Sequence, residues 1–204
     1  SIEQTRRALG LHRLVVLNDF TALALSLPHL EPGDLQKIGD GEAIARKPIG
    51  LIGAGTGLGV SGLLPSGDGW TAIEGEGGHC SFSPANQRET DILRIAWRSF
   101  SHVSSERLIS GIGFENIYRA IAELDGLPAP ALSPEQITER ALAGADQLCI
   151  RTLEVFCAML GTAASNLALT LGARGGVYVG GGIVPKLGDF FAHSSFRARF
   201  EAKG

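Results

Sequence analysis

The sequence predicts an α/β protein, a mixed sheet flanked by helices. Short runs of Val, Ile and Leu end in glycine-rich turns, as in "PIGLIGAGTGLGVSGLL" and "GGVYVGGGI". Longer stretches place apolar residues at helical spacing, above all across residues 146–171. Strands come first and helices after, and folds of this class carry their ligand sites at strand ends.

In chain order, residues 2–9 read as the end of an amphipathic helix. "RLVVLND" reads as a short apolar strand ending in Asn18 and Asp19. "FTALALSLP" is a helix stopped by Pro28. Residues 31–48, polar with Gly and Pro, form a connection. "PIGLIGAGTGLGVSGLL" gives two strands, joined by a turn whose glycines are expected to supply φ > 0. "GWTAIEGEGGHCSF" adds a strand and a polar glycine motif, and "NQRETDILRIAWRSF" has helical spacing. Ser133 opens a helix with Pro134 at its first position and Gln136 placed for a capping box. The apolar helix of residues 146–171 ends at Gly172. "GGVYVGGGI" is then a buried strand running into a glycine turn, and "FRARFEAKG" is amphipathic. No internal repeat occurs at solenoid periods.

The 204 residues are 44% hydrophobic and 19% charged, enough for a buried core and unlike a disordered chain. A net charge of −3 without a long basic run leaves no nucleic-acid footprint. The apolar stretches are short or broken by polar residues, so none reads as a membrane span, and "SIEQTRRALG" has no signal-peptide core. Three cysteines, Cys80, Cys149 and Cys157, form no CxxC pair. They argue against a disulfide framework or a zinc site and fit a reducing cytoplasm. Cys149 and Cys157 fall in an apolar helical pattern, as small buried thiols do.

The 28 glycines cluster beside Val, Ile and Leu, where a backbone turns sharply or approaches a ligand. In "GAGTGLG", residues 53–59, successive N–H groups can form an anion-binding concavity and Thr56 can add a hydroxyl. No Lys-Ser/Thr follows, so it is not a Walker A loop. Gly57, Gly59 and Gly62 spell GxGxxG, but strand and turn follow instead of a helix, which argues against a dinucleotide cofactor. Alone, this loop could equally be a plain glycine hairpin, and "VYVGGGI" a plain strand-to-helix turn. Asp19 suits a general base, while "LND" also suits a helix N-cap. "EGEGGH", residues 74–79, gathers two carboxylates and an imidazole, or is a polar turn. In "HVSSERLISG", Glu106 and Arg107 follow serines, of which Ser104 or Ser105 could cap a helix; no GxSxG elbow supports a serine hydrolase. His12, His29 and His193 read as surface or packing residues.

The order of the motifs is more specific than any one of them. "LNDFTALALSLP", "GAGTGLGV", "EGEGGH", "SSERLISGIGFENIYRA" and "LALTLGARGGVYVGGGIVPK", spread over essentially the whole chain, resemble the bacterial ATP-dependent glucokinase family. That family belongs to the sugar kinase, Hsp70 and actin superfamily. The resemblance implies a ribonuclease H-like (actin-like ATPase/hexokinase) fold. The family's opening Asp-Gly-Gly-Thr-Asn phosphate loop is missing, and the chain starts at Ser1 and stops at Gly204, before the family's last elements. The resemblance therefore implies an internal part of a longer protein, incomplete for catalysis by itself. Residues 1–30 would be the end of the small domain and the interdomain crossing, and residues 31–204 an incomplete large domain.

By the same resemblance the reaction is transfer of the γ-phosphate of ATP to the 6-hydroxyl of glucose. Asp19 is the implied catalytic base. Asn18, Glu76, His79 and Glu106 are the implied sugar ligands, and their chemistry suits hydroxyls that both donate and accept. Glu74 has no implied role beyond structure. Gly55, Thr56 and Gly57 match the second phosphate loop, and Gly180, Gly181 and Gly182 the adenosine-side turn. Mg²⁺ would bridge the phosphates, held mainly by nucleotide and water, with no metal site in the chain itself. A cytoplasmic homodimer, without nucleic-acid or membrane partners in this stretch, follows by analogy. Three rivals stand beside this reading. A ROK-type kinase or repressor would carry a His followed by a Cys-x-Cys cluster, and here only Cys80 follows His79. The others are a glucokinase fused to a sugar-responsive DNA-binding regulator and a non-catalytic sugar-binding module.

Overall fold

The computed structural model describes residues 1–203. Helix α1 (Ile2–Ala8) starts with a capping box between Ser1 and Gln4, and Glu3 pairs with Arg6 and Arg7, but the helix buries no residue. Residues 13–17, expected as a strand, pair with no other segment among the described residues, and Val15, Val16 and Leu17 are exposed. An apolar run becomes a strand only when a neighbour takes its N–H and C=O groups, and none is at hand. Asn18 then caps α2 (Asp19–Ser26), which passes into a 3₁₀ turn at Leu27–His29 with Pro28 at its start.

Strands β1 (Ile49–Ala54), β2 (Leu58–Ser66), β3 (Gly69–Glu74) and β4 (Val177–Gly180) make one mixed sheet in the order β3-β2-β1-β4. The first three run antiparallel, and β4 lies parallel to β1. As the central strand, β1 is buried throughout; β4 is half-buried, not buried as its sequence suggests. In register, Gly53 of β1 faces Gly59 of β2 on one side and Gly180 of β4 on the other. Three glycines thus lie side by side across the sheet.

The glycines between β1 and β2 are not there for positive φ, because none of Gly53, Gly55, Gly57 and Gly59 adopts it. At three of these positions the reason is space. A Cβ on Gly53 would stand 2.5 Å from the Gly180 carbonyl carbon, one on Gly57 would overlap the Glu106 carboxylate, and one on Gly59 would enter the Phe20 ring.

Helices α3 (Gln87–Ala96), α4 (Gly111–Asp125), α5 (Pro134–Leu142) and α6 (Gln147–Leu171) are capped by Asn86, Ser110, Ser133 and Asp146. Gly126 and Gly172 end α4 and α6 at φ 65° and 58°, the left-handed geometry that glycine adopts without strain. The capping box of α5 joins Ser133 and Gln136 as the sequence indicates. Helix α4 is not anticipated because glycines open it; a Cβ on Gly113 would collide with the Leu108 backbone. The short helices α7 (Val184–Leu187), α8 (Asp189–His193) and α9 (Phe196–Glu201) finish the fold.

Helix α6 is long and apolar enough to cross a membrane, but 72% of its apolar window is buried, and it packs against β1, α4, α5 and α9 as a core helix. The main core joins Ile52, Leu58, Ile109, Ile117, Leu153 and Phe156, with the Phe114 and Phe156 rings 4.5 Å apart. A second cluster on the opposite sheet face joins Ala24 of α2 and Leu27 just after it to Ile49, Leu51 and Leu63 of the sheet. Arg199 of α9 reaches Glu89 of α3 at 2.7 Å and Thr162 of α6 at 2.7 Å. Glu89 is only 2% exposed, and Ala85 N–H and the Asn86 amide donate to the same carboxylate. The buried charge is therefore both paired and hydrogen-bonded.

Candidate functional site

The turn at Gly55–Gly57, where β1 hands over to β2, is the hub of the site. Gly111 N–H, at the start of α4, donates to the Gly55 carbonyl at 2.8 Å. Leu58 N–H donates to Glu106 Oε2 at 3.0 Å. The positive end of α4 thus abuts a loop expected to hold phosphates, the arrangement that favours an anion. The glycines after β4 reach the same end of the sheet. Ile183 N–H donates to the Ala54 carbonyl at 3.2 Å, and Gly181, at φ 83°, lies so close to Ala54 that a side chain would collide with it.

"EGEGGH" owes its shape to its glycines. The 3₁₀ turn Gly77–His79 lies flat on β2: a Cβ on Gly77 would meet Val60 at 2.8 Å, and one on Gly78 would strike the Leu58 carbonyl. Pressed down on one side, the segment presents its polar groups on the other. His79 is 62% exposed and Glu76 80%. A second 3₁₀ turn, Ser105–Arg107, brings in Glu106, and Ser105 N–H ties that turn to the Cys80 carbonyl at 2.8 Å. His79 Nδ1 lies 4.0 Å from Glu106 Oε1, and Nε2 lies 3.9 Å from Glu76 Oε2. The structure therefore gathers Glu76, His79 and Glu106, with Glu106 spanning from the imidazole to the β1–β2 turn. An open pocket of about 360 Å³ continues past them, lined by His79, Glu106, Phe100, His102 and Arg107. Glu74 ends β3 opposite Ser61 and forms no ion pair among the described residues.

Asn18 and Asp19 stand at the start of α2, not at a strand end. Asn18 Oδ1 accepts from Phe20 N–H at 2.8 Å and Thr21 N–H at 3.3 Å. The cap thus occupies the amide oxygen and leaves the NH₂ donors for a ligand. Asp19 Oδ1 also accepts from Phe20 N–H, at 2.8 Å, leaving Oδ2 without a hydrogen bond among the described residues. Capping and ligand binding are compatible roles here. No hydrogen bond or ion pair joins these two residues to Glu76, His79 and Glu106; the connection runs through Phe20 and the glycines beneath it.

The three cysteines stand apart from this chemistry. Cys80 is exposed, while burial pushes the Cys149 thiol up to about 11 and the Cys157 thiol up to about 12. Among the described residues no group of three His, Cys, Asp or Glu could hold a metal ion. His12, His29 and His193 are exposed. The sequence does not single out Phe20, Gly111 or the Leu58 N–H as parts of the site; only for Leu58 is there a local signal, the small residues around it in "GTGLG".

The profile of the family described as Glucokinase matches residues 1–204. A glucokinase of Chromobacterium violaceum is 58% identical over 204 residues, covering 100% of this chain and 59% of that protein. A "Bifunctional protein glk" of Burkholderia pseudomallei is 55% identical and is covered over 32% of its length. Among solved structures, a glucokinase from an Antarctic psychrotroph superposes with a TM-score of 0.92 at 35% identity, covering 100% of this chain and 63% of that one. The chain thus spans about three fifths of the glucokinases it matches. Its fold is that of the sugar kinases, and over its whole length the chain belongs to the glucokinase family.

Proposed function

We propose that the protein phosphorylates glucose at the 6-hydroxyl, using ATP and releasing ADP. The observation that carries this reading is Glu106, one oxygen facing His79 and the other fixed to the β1–β2 turn. A carboxylate so held sets a sugar directly beside a phosphate loop. Glu76, His79, Glu106 and the Asn18 amide bind sugar hydroxyls. Asp19, through its free Oδ2, takes the proton of the 6-hydroxyl as that oxygen attacks the γ-phosphate. Because phosphoryl transfer is largely dissociative, alignment and charge neutralisation matter more than the strength of the base. Gly55, Thr56 and Gly57 cradle the phosphates together with the start of α4, and Gly180, Gly181 and Gly182 receive the adenosine side. Among the described residues no cluster of His, Cys, Asp or Glu is placed to hold Mg²⁺; the ion would come with the triphosphate and would supply positive charge to the phosphates.

In this reading residues 1–30 are the end of a small domain and the crossing into residues 31–204, the large domain, and a homodimer acts in the cytoplasm. The test is Asp19→Ala in the intact natural protein. Glucose binding by calorimetry should persist, while kcat for glucose 6-phosphate formation falls roughly 10²–10⁴-fold. Asp19→Asn should be nearly as poor, since an amide cannot take the proton. Near wild-type turnover in either variant would reduce Asp19 to a helix-start residue and sink the reading.

The Burkholderia relative favours a second reading, in which this kinase unit is part of a longer bifunctional polypeptide. The mass of the natural polypeptide decides between a single kinase and a fusion.

A further inference from the structure

We propose that Phe20 is a positioning residue, which sets Asp19 against the phosphate loop by seating its ring on Gly59 and Gly53, with Leu23 on Gly180 beside them. The inference rests on Asp19 being the base. Register puts the three glycines side by side on one face of the sheet. The ring of Phe20 lies on that row: its edge carbons would overlap a Cβ on Gly59, and its Cζ would be 2.7 Å from a Cβ on Gly53. One turn later, Leu23 Cδ2 would be 3.0 Å from a Cβ on Gly180. Helix α2 therefore begins on bare backbone. A ring resting on side chains can shift as those change rotamer. A ring resting on the backbone of two paired strands has a fixed height.

The link from ring to base is covalent and short. Phe20 follows Asp19 directly, and its N–H donates to both Asp19 Oδ1 and Asn18 Oδ1, each at 2.8 Å. Wherever the ring fixes the Phe20 backbone, both carboxylate and amide are aimed. The glycines under these side chains are also the start of the nucleotide elements. Gly53, under the ring, is two residues before Gly55, and Gly180, under Leu23, ends β4 and is the first of three successive glycines. The aromatic contact thus sets the base relative to the phosphate loop, and Leu23, one turn on, rests on the strand that leads to the adenosine-side turn.

Gly53 also makes room for the Gly180 backbone, but at Gly59 the three nearest atoms all belong to the Phe20 ring. The apolar side chains that hold α2 down, Ala24 and Leu27, lie toward its far end, with Ile49, Leu51 and Leu63 of the sheet. A methyl at Gly59 would raise the first turn while leaving that cluster in place. A displacement of about 1 Å of a reacting group costs up to about a hundredfold in rate.

The experiment uses the intact natural protein and a size exchange. Gly59→Ala should lower kcat about tenfold to a hundredfold, with glucose KM changed less than about threefold. Phe20→Leu should lower kcat in the same direction. The double variant Phe20→Leu/Gly59→Ala should turn over faster than Gly59→Ala alone, because the smaller side chain makes room for the methyl. In an Asp19→Ala background, Gly59→Ala should cost nothing further. A residue that only packs would lower Tm and leave kcat per folded molecule unchanged. Wild-type kcat in Gly59→Ala, or defects that multiply in the double variant, would overturn the proposal. If Gly59→Ala does not fold, Phe20→Leu decides, with unchanged kcat overturning the proposal. Loss of activity in Asp19→Ala with full activity in the Phe20 and Gly59 variants would remove the positioning role and leave the proposed reaction standing.

Discussion

The two faces of the sheet are closed by opposite means. On one, Ile52, Val60 and Val179 meet a continuous core of helices. There a side chain is held by the bulk of what surrounds it. On the other, Ala24 of α2 and Leu27 just after it meet Ile49, Leu51 and Leu63 of the sheet, beside a row of glycines. There position follows from the absence of side chains, which lets a helix approach the strands. The contrast separates two tasks that are often assigned to the same residues. The thick face supplies most of the apolar burial, and the thin face carries the proposed base.

The largest effect should come from the thick face. Phe156→Ala removes a fully buried ring and should cost about 3–5 kcal/mol in denaturant unfolding. Turnover per folded molecule should not change. If kcat falls in proportion to stability, the two tasks are not separable. Alkaline pH strikes the same face, because Cys149 and Cys157 both sit in it. Their folded-state values are raised to about 11 and about 12, above those of an unfolded thiol. The unfolded chain therefore releases its protons first as pH rises. Stability is fully present below about pH 8.5 and declines from there toward the raised folded values. A Tm that stays level from pH 8 to 11 would contradict this. In native protein at pH 8, a thiol reagent should modify Cys80 alone of the three cysteines.

Leu27→Ala tests the thin face and should cost about 2 kcal/mol, the low end for such truncations. Its sharper readout is hydrogen exchange. The amides of α2 should lose protection while those of α6 keep theirs, and equal acceleration in both helices would erase the distinction between the faces. Ser110→Ala, which uncaps α4 beside the Gly55 carbonyl, should cost about 1 kcal/mol. Glu3→Ala, on a helix that touches neither face, should leave Tm unchanged.

Local signals were legible and non-local ones were not. Ser133, Pro134 and Gln136 fix the start of α5 within four residues of sequence, and Gly172 ends α6 by its own backbone preference. Residues 13–17 carry as strong an apolar run as β4, but a strand is a relation between two segments, and the run says nothing of its partner. The glycines of residues 53–59 were visible as a cluster and misread in cause. Their reason lies in Phe20, more than thirty residues before, and in Glu106, some fifty residues after. The site divides likewise. Residue types in "LND", "EGEGGH" and "SSER" point to sugar chemistry. That Glu106 grips Leu58 N–H, or that Phe20 rests on Gly59, depends on strand register and appears only in three dimensions.

The pairing of Glu89 with Arg199 bears on how the chain comes to be folded. The two residues are 110 positions apart. On a ribosome adding 5–20 residues per second, α3 waits roughly 6–22 s for its partner. Until then a carboxylate destined for burial has only Ala85 N–H and the Asn86 amide to answer it. Glu89 therefore stays in water until Arg199 has been made. A ribosome stalled between these two positions would hold α3 with that carboxylate still without its guanidinium.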